Sequence, residues 1–188
     1  MNTCISRIPA VWFRMNPTVF LGRLFAGLLI GLMAWALLPV SAMAETAPRP
    51  APAFSLPALN GGDVRLKDFR GRYVLLNFWA TWCGPCKLEM PSLESLYRKY
   101  QGRKLEVVGV SNDIFGEKVV KPYVEAQGLT FPVLLDPGLD VSNSFRVMSL
   151  PTTYLIDPEG NIIGVLSGAE NWTAPDTLKY FENLLKSQ

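Results

Sequence analysis

The sequence predicts an α/β protein with a central mixed sheet flanked by helices on both faces. Three observations carry that expectation. Val74 to Ala80 is a near-continuous apolar run, the pattern of a strand buried on both faces. Helix-like and strand-like segments then alternate as far as Leu135. Beyond them, Asp157-Pro158-Glu159-Gly160 lies between two strand-like segments and marks a hairpin. The resulting order, β-α-β-α-β, then a hairpin, then a helix, implies a mixed sheet covered on both sides.

Each element has its own signal. Weak strand patterns flank Asn60-Gly61-Gly62, which predicts an N-terminal hairpin ahead of the sheet. In the run Val74–Ala80 the one polar residue, Asn77, needs hydrogen-bond partners inside. Leu93, Leu96, Tyr97 and Tyr100 recur at i, i+3, i+4 and i+7, the apolar stripe of a helix. Gly102 ends that helix, and Pro91 inside it predicts a kink. Leu105–Val110 reads as a strand, Glu117–Gln127 as a helix closed by Gly128, and Phe131–Leu135 as a short strand stopped by Asp136-Pro137-Gly138. Thr152–Ile156 and Asn161–Leu166 form the late hairpin. Thr173 and Asp176 have capping-box spacing, followed by the helical stripe Leu178, Phe181 and Leu185.

The chain has 188 residues, 49% of them apolar and 18% charged, which at roughly 150 residues per domain argues for one globular body and an appendage. It contains no His. That excludes His-based zinc sites, haem attachment through C-x-x-C-H, Ser-His-Asp triads and any His general base. The formal net charge of +2 is unevenly placed. Arg7, Arg14 and Arg23 stand without a single acid in residues 1–44, and the rest of the chain is close to neutral. A body without a basic stripe has no electrostatic footprint for nucleic acid.

Residues 1–44 read as an address. The uncharged run Leu24–Leu38 follows the arginines and precedes Ala42-Met43-Ala44, an A-x-A cleavage pattern. Its 15 residues would span roughly 22 Å as a helix, short of a ~30 Å hydrocarbon core. A cleaved signal peptide is therefore favoured over an uncleaved inner-membrane anchor, and the positive N-terminal flank places the body in the periplasm either way. Any contact with the membrane would run through this segment alone. Cys4 precedes the apolar run and cannot be a lipoprotein attachment site, which leaves Cys83 and Cys86 as a matched pair in the body. Residues 45–52 carry three prolines and read as an extended spacer before a single domain at 53–188.

Phe78-Trp79-Ala80-Thr81-Trp82-Cys83-Gly84-Pro85-Cys86 resembles the active-site segment of the thioredoxin superfamily. The next five residues, Lys87-Leu88-Glu89-Met90-Pro91, are similar to those of the exported, bacterial TlpA/ResA-like thiol:disulfide oxidoreductases. The likeness covers roughly residues 53–187 and includes Leu150-Pro151-Thr152. It implies a thioredoxin-like fold, a redox-active Cys83–Cys86 pair, and no cofactor or metal. Physical chemistry supports the pair independently. In C-x-x-C between a strand and a helix, the first sulfur sits at the helix N-terminus, where free N–H groups stabilise a thiolate. Cys83 is then the nucleophile, and Cys86, one turn in, resolves the mixed disulfide. Pro85 enters the first helical turn at little cost, and Gly84 leaves the approach to Cys83 open.

By the same resemblance Pro151 is a cis-proline facing the cysteines; an ordinary strand-edge proline is the alternative. Client binding falls to Trp82, Gly84, Pro85, Leu150 and Thr152, with Leu150 offering its backbone to a client in strand-like pairing. Asn77 stands where thioredoxin has a buried Asp, so that base is absent. The TlpA/ResA-like group has a functional Glu at the place of Glu89. Glu89 is either the group that tunes the cysteines and relays the proton of Cys86, or a solvated surface glutamate.

Taken together these features imply a periplasmic reductase of disulfides in exported proteins. The resemblance implies apocytochrome c or metallochaperone cysteines as its clients, and a transmembrane thiol reductase of the DsbD or CcdA type to resupply its electrons. Ser149-Leu150-Pro151-Thr152 differs from the Gly-Ala-Pro-Glu-like stretch of dedicated CcmG proteins, which favours a general role. The alternatives on this fold are a disulfide-donating oxidant, a thiol peroxidase, and a Sco-like copper chaperone. The peroxidase pattern needs Thr three residues before its Cys, whereas Thr81 is two before Cys83; the copper site needs a His.

Overall fold

The computed structural model describes residues 49–186. The leader, Cys4, the start of the spacer and the last two residues lie outside them. Compactness divides the chain between Glu45 and Thr46, and all described residues belong to the second unit.

In chain order the elements are β1 (Arg49–Pro50), β2 (Ser55–Pro57), β3 (Asp63–Arg65), a 3-10 turn (Leu66–Phe69), β4 (Tyr73–Trp79) and α1 (Gly84–Tyr100). β5 (Leu105–Ser111), α2 (Glu117–Gln127), β6 (Val133–Leu135), α3 (Asp140–Ser144), β7 (Thr152–Ile156), β8 (Asn161–Ser167) and α4 (Pro175–Lys186) follow. Six strands form one sheet in the order β1-β8-β7-β4-β5-β6, and β2 pairs with β3 in a separate hairpin. β4 runs parallel to β5 and antiparallel to β7, so the sheet is mixed, as its sequence pattern implies.

β4 lies at the centre, and every one of its residues is buried. Alternation along the strand divides them between two cores. Tyr73, Leu75 and Trp79 face a cluster built with Met90, Leu93 and Leu96 of α1, Val120 of α2 and Phe181 of α4. Val74, Leu76 and Phe78 face another, built with Phe54 and Leu56 of the N-terminal segment, Phe69 of the 3-10 turn, and Val141 of α3. Helices therefore cover both faces. Gly109 of β5 lies in a tight place, since a Cβ there would meet Phe131 and the Trp79 indole nitrogen, each at 2.9 Å.

The structure departs from the sequence pattern at four places. Arg49 and Pro50, inside the expected spacer, pair antiparallel with Ile162 and Asn161 and form the outer edge of the sheet. β6 begins at Val133 instead of Phe131, because Pro132 has no N–H for a ladder; its carbonyl accepts from Gly109 instead, at 2.9 Å. α3 has only five residues and no apolar stripe to announce it. Buried Asp136 starts it by accepting from the Ser142 N–H at 2.8 Å and the Ser142 hydroxyl at 2.7 Å. The Thr173–Asp176 capping box does not form: α4 starts at Pro175, and the Thr173 hydroxyl donates to Asn171 Oδ1 at 2.8 Å. Pro91 lies inside α1 without ending it, and the helix runs on to Tyr100 with Gly102 at φ 75° just past its end. Among the described residues no helix is long and apolar enough to cross a membrane.

Candidate active site

Parallel strands deliver their C-terminal ends to one edge of a sheet, and ligand sites gather there. Trp79 at the end of β4 is paired with Ser111 at the end of β5. The loops that follow, 80–83 and 112–116, are brought together by this register.

Cys83 caps α1. Its N–H donates to the Ala80 carbonyl at 3.2 Å, and its Sγ accepts from the Cys86 N–H at 3.2 Å. Cys83 and Cys86 are joined as a disulfide, with their Cα atoms 5.3 Å apart. Cys83 keeps 5% of its surface exposed and Cys86 none, so a reactant can approach only the first sulfur. The first turn of α1 carries no acid to oppose a charge on it. When the bond is opened, the helix N-terminus stabilises a thiolate on Cys83. Trp82 beside it is 68% exposed. Trp82, Cys83, Gly84 and Pro85 line a groove of about 740 Å³, with the Asn112–Phe115 loop and the segment Val147–Leu150 as its other walls.

The Leu150–Pro151 peptide bond is cis, as the resemblance implies. Leu150 lines the groove and Pro151 is buried beside it. Thr152 corrects the expected client set. Its side chain is buried, its hydroxyl donates to the Ser149 carbonyl at 2.7 Å, and it does not line the groove.

Glu89 is 2% exposed, which removes the solvated-surface alternative. Its Oε1 accepts from Asn77 Nδ2 at 2.8 Å; its Oε2 accepts from the Glu170 N–H at 3.1 Å and from Trp172 Nε1 at 3.2 Å. Burial pushes the carboxyl above its ordinary value of 4.5, these three donors pull against that rise, and the charge of Glu170 adds to it. Asn77 also donates to Thr153 Oγ1 at 2.9 Å, while its own Oδ1 has no partner among the described residues. Glu89 lies three residues past Cys86, on the same side of α1, but it opens onto a different groove, of about 560 Å³, together with Ser92, Ser95, Asn171 and Thr173.

Sequence patterns missed Asp113. This buried carboxylate accepts from the Thr81 N–H at 2.9 Å, the Thr81 hydroxyl at 2.6 Å and the Ser111 hydroxyl at 2.8 Å. It thereby ties the loop carrying Trp82 and Cys83 to the end of β5. Ile114 and Phe115 were missed as well, although the parallel pairing of two strands whose loops follow directly was a usable signal; Met148, in the loop before β7, had no such signal. Trp79, beside the site in sequence and expected in the core, belongs to the core. Among the described residues no group of three or more Cys, Asp or Glu is placed to hold a metal ion.

A dithiol pair at a helix N-terminus, half sealed and half open, has disulfide exchange as its chemistry, and the sheet that presents it is thioredoxin-like. The class is a thiol-disulfide oxidoreductase. The chain belongs to the AhpC/TSA family, whose model matches residues 48–165. It is 40% identical over 120 residues to the thiol-disulfide oxidoreductase ResA of Bacillus thuringiensis subsp. konkukian, covering 64% of this chain and 69% of that one. It is 40% identical over 136 residues to ResA of Geobacillus thermodenitrificans, covering 71% and 75%. Among solved structures it resembles a thioredoxin-family thiol:disulfide interchange protein from Chlorobium tepidum, with a TM-score of 0.64, 28% identity, and coverage of 77% of this chain and 98% of that one.

Proposed function

We propose that the chain is exported and works in the periplasm as a reductant of disulfides in other exported proteins. The observation that carries this reading is the asymmetry of the pair: Cys83 borders the open groove and Cys86 is sealed behind it. The Cys83 thiolate attacks one sulfur of the client disulfide, and the other client sulfur leaves and takes up a proton. Cys86 then gives its proton to the Glu89 carboxylate, and its thiolate attacks Cys83 Sγ. The second client thiol departs, and the Cys83–Cys86 disulfide closes. Two electrons pass to the client. Leu150, which lines the groove, supplies backbone for strand-like pairing with the client.

A reductant in an oxidising compartment needs resupply, and a transmembrane thiol reductase of the DsbD or CcdA type is the donor this reading calls for. Apocytochrome c and metallochaperone cysteines are the client classes it serves. The Gly-Pro dipeptide between the cysteines, shared with thioredoxin, supports the reducing direction over disulfide donation. Peroxidase chemistry is disfavoured because the Thr81 hydroxyl is committed to Asp113.

The test is thiol trapping in living cells with a mass-adding alkylator. Cys83 and Cys86 are expected mostly reduced, becoming oxidised when the membrane donor is deleted. A mostly oxidised pair that ignores the donor overturns the reductive reading. The same lanes report whether residues 1–44 have been removed.

A further inference from the structure

We propose that Trp172 is a positioning residue for the resolving step: with the Glu170 N–H, its indole N–H occupies Oε2 of Glu89 and leaves Oε1 to take the proton of Cys86. This deepens the relay reading of Glu89 and rests on it.

A carboxylate has about four acceptor sites, two on each oxygen. Oε2 of Glu89 has both filled, by the Glu170 N–H at 3.1 Å and by Trp172 Nε1 at 3.2 Å. Oε1 accepts from Asn77 Nδ2 alone, at 2.8 Å. The open site is therefore on Oε1, and a proton leaving the Cys86 thiol has one oxygen to go to.

A buried indole commonly finds an acceptor, and packing alone would ask for nothing more. This core does not insist on it. Trp79 is as deeply buried, yet its Nε1 has no partner among the described residues. Trp172 is held more closely. Its ring is 4% exposed and packs in the cluster that contains Leu75, Cys86 and Phe181. Its backbone N–H donates to Ser92 Oγ at 3.2 Å, and that hydroxyl donates to the Glu89 carbonyl at 2.8 Å. At the start of the same loop, the Gly168 N–H donates to the Pro151 carbonyl at 2.9 Å. Ring and backbone are fixed by contacts other than the carboxyl, so the indole orients the carboxyl.

Electrostatics gives that orientation a consequence. Among the described residues the titratable groups facing Glu89 are Cys86, one turn earlier on α1, and Glu170 on the loop, whose charge raises its proton affinity. β4 contributes the neutral amide of Asn77. N–H donors favour the ionised form. Without the indole, Glu89 keeps its own proton to higher pH and is less often free to accept another.

The experiment mixes the reduced chain with a symmetrical aromatic disulfide whose thiolate is coloured, and follows both releases in stopped flow across pH. The first coloured thiolate reports attack by Cys83, the second resolution by Cys86. In the unaltered chain resolution should rise with pH as Glu89 loses its proton. Trp172→Phe keeps a buried ring and removes the N–H. It is expected to move that rise up by about one pH unit, the low end for a hydrogen bond to a charged group. Glu89→Gln should abolish the rise, and adding Trp172→Phe to it should change nothing further. A rise that stays in place in Trp172→Phe, while Glu89→Gln abolishes it, overturns the role of Trp172. A rise that survives Glu89→Gln overturns the relay reading itself. A second readout uses the unaltered chain: in ¹⁵N-labelled protein the Trp172 indole N–H signal should shift with the Glu89 midpoint. An indole signal that ignores that midpoint overturns the proposal even where Trp172→Phe does not fold.

Discussion

Two grooves touch the same helix, and the balance of their linings differs. The groove at the first turn of α1 is walled by exposed aromatic and aliphatic side chains and holds one sulfur within reach of solvent. The groove one turn on is lined by Ser92, Ser95, Asn171 and Thr173 among Leu88, Pro91 and Ala169, and it includes Glu89, a carboxyl that is almost wholly buried. Among the described residues none lines both. The difference separates two surfaces along one helix. Under the proposed mechanism a client would cover the first groove, and the second would leave Glu89 open to proton exchange on another side of the helix.

Breaking the first groove has the largest expected effect. Cys83→Ser should abolish client reduction, a loss of at least about 10⁴-fold on the scale of removing an attacking nucleophile. Cys86→Ser should instead accumulate the mixed disulfide on Cys83, visible as a heavier band on a non-reducing gel.

The second groove should matter next. Glu89→Gln should slow resolution by about a hundredfold, at the low end for a lost general base. It should also change how stability depends on pH. The Glu89 carboxyl is raised by burial in the folded chain and is near 4.5 when unfolded. The folded chain then holds the proton more tightly, so its stability is fully present below 4.5 and falls as pH rises through the raised folded value. Urea titrations at several pH values should therefore show the native chain losing stability relative to Glu89→Gln as pH increases.

Smaller effects separate support from chemistry. Asp113→Ala leaves the Thr81 and Ser111 donors unpaired and should cost about 2–3 kcal/mol in urea unfolding. Combined with Thr81→Val, the two losses should fall well short of additive, because they remove the same contact. Ser92→Ala takes away the acceptor of the Trp172 N–H, 3.2 Å distant, and should cost about 1 kcal/mol.

Much of this was legible in the sequence wherever the signal is local. The apolar run of β4, the stripe of α1 and the turn residues of both hairpins each sit within a short window, and the elements formed there. Cys83, Cys86 and the place of Glu89 follow from spacing along one helix. What was not legible depends on long-range pairing. Glu89 is buried because Glu170 and Trp172 fold over it from more than eighty residues away. Asp113 reaches Thr81 only because β5 lies beside β4 in a particular register. Met148 joins Trp82 in lining the Cys83 groove through the loop leading to β7, which no periodicity marks. Thr152 was misassigned because adjacency to Pro151 says nothing about which way a strand residue points. The capping box at Thr173 failed to a nearer competitor, the Asn171 side chain.

The most direct test is to titrate the Glu89 carboxyl itself, by ¹³C-labelled NMR with Glu89→Gln for assignment, in the disulfide form and after reduction. Separate proton traffic requires a midpoint above 4.5 in the disulfide form, and a further shift once Cys86 carries its own proton. A midpoint at or below 4.5 that ignores the state of the cysteines would contradict it.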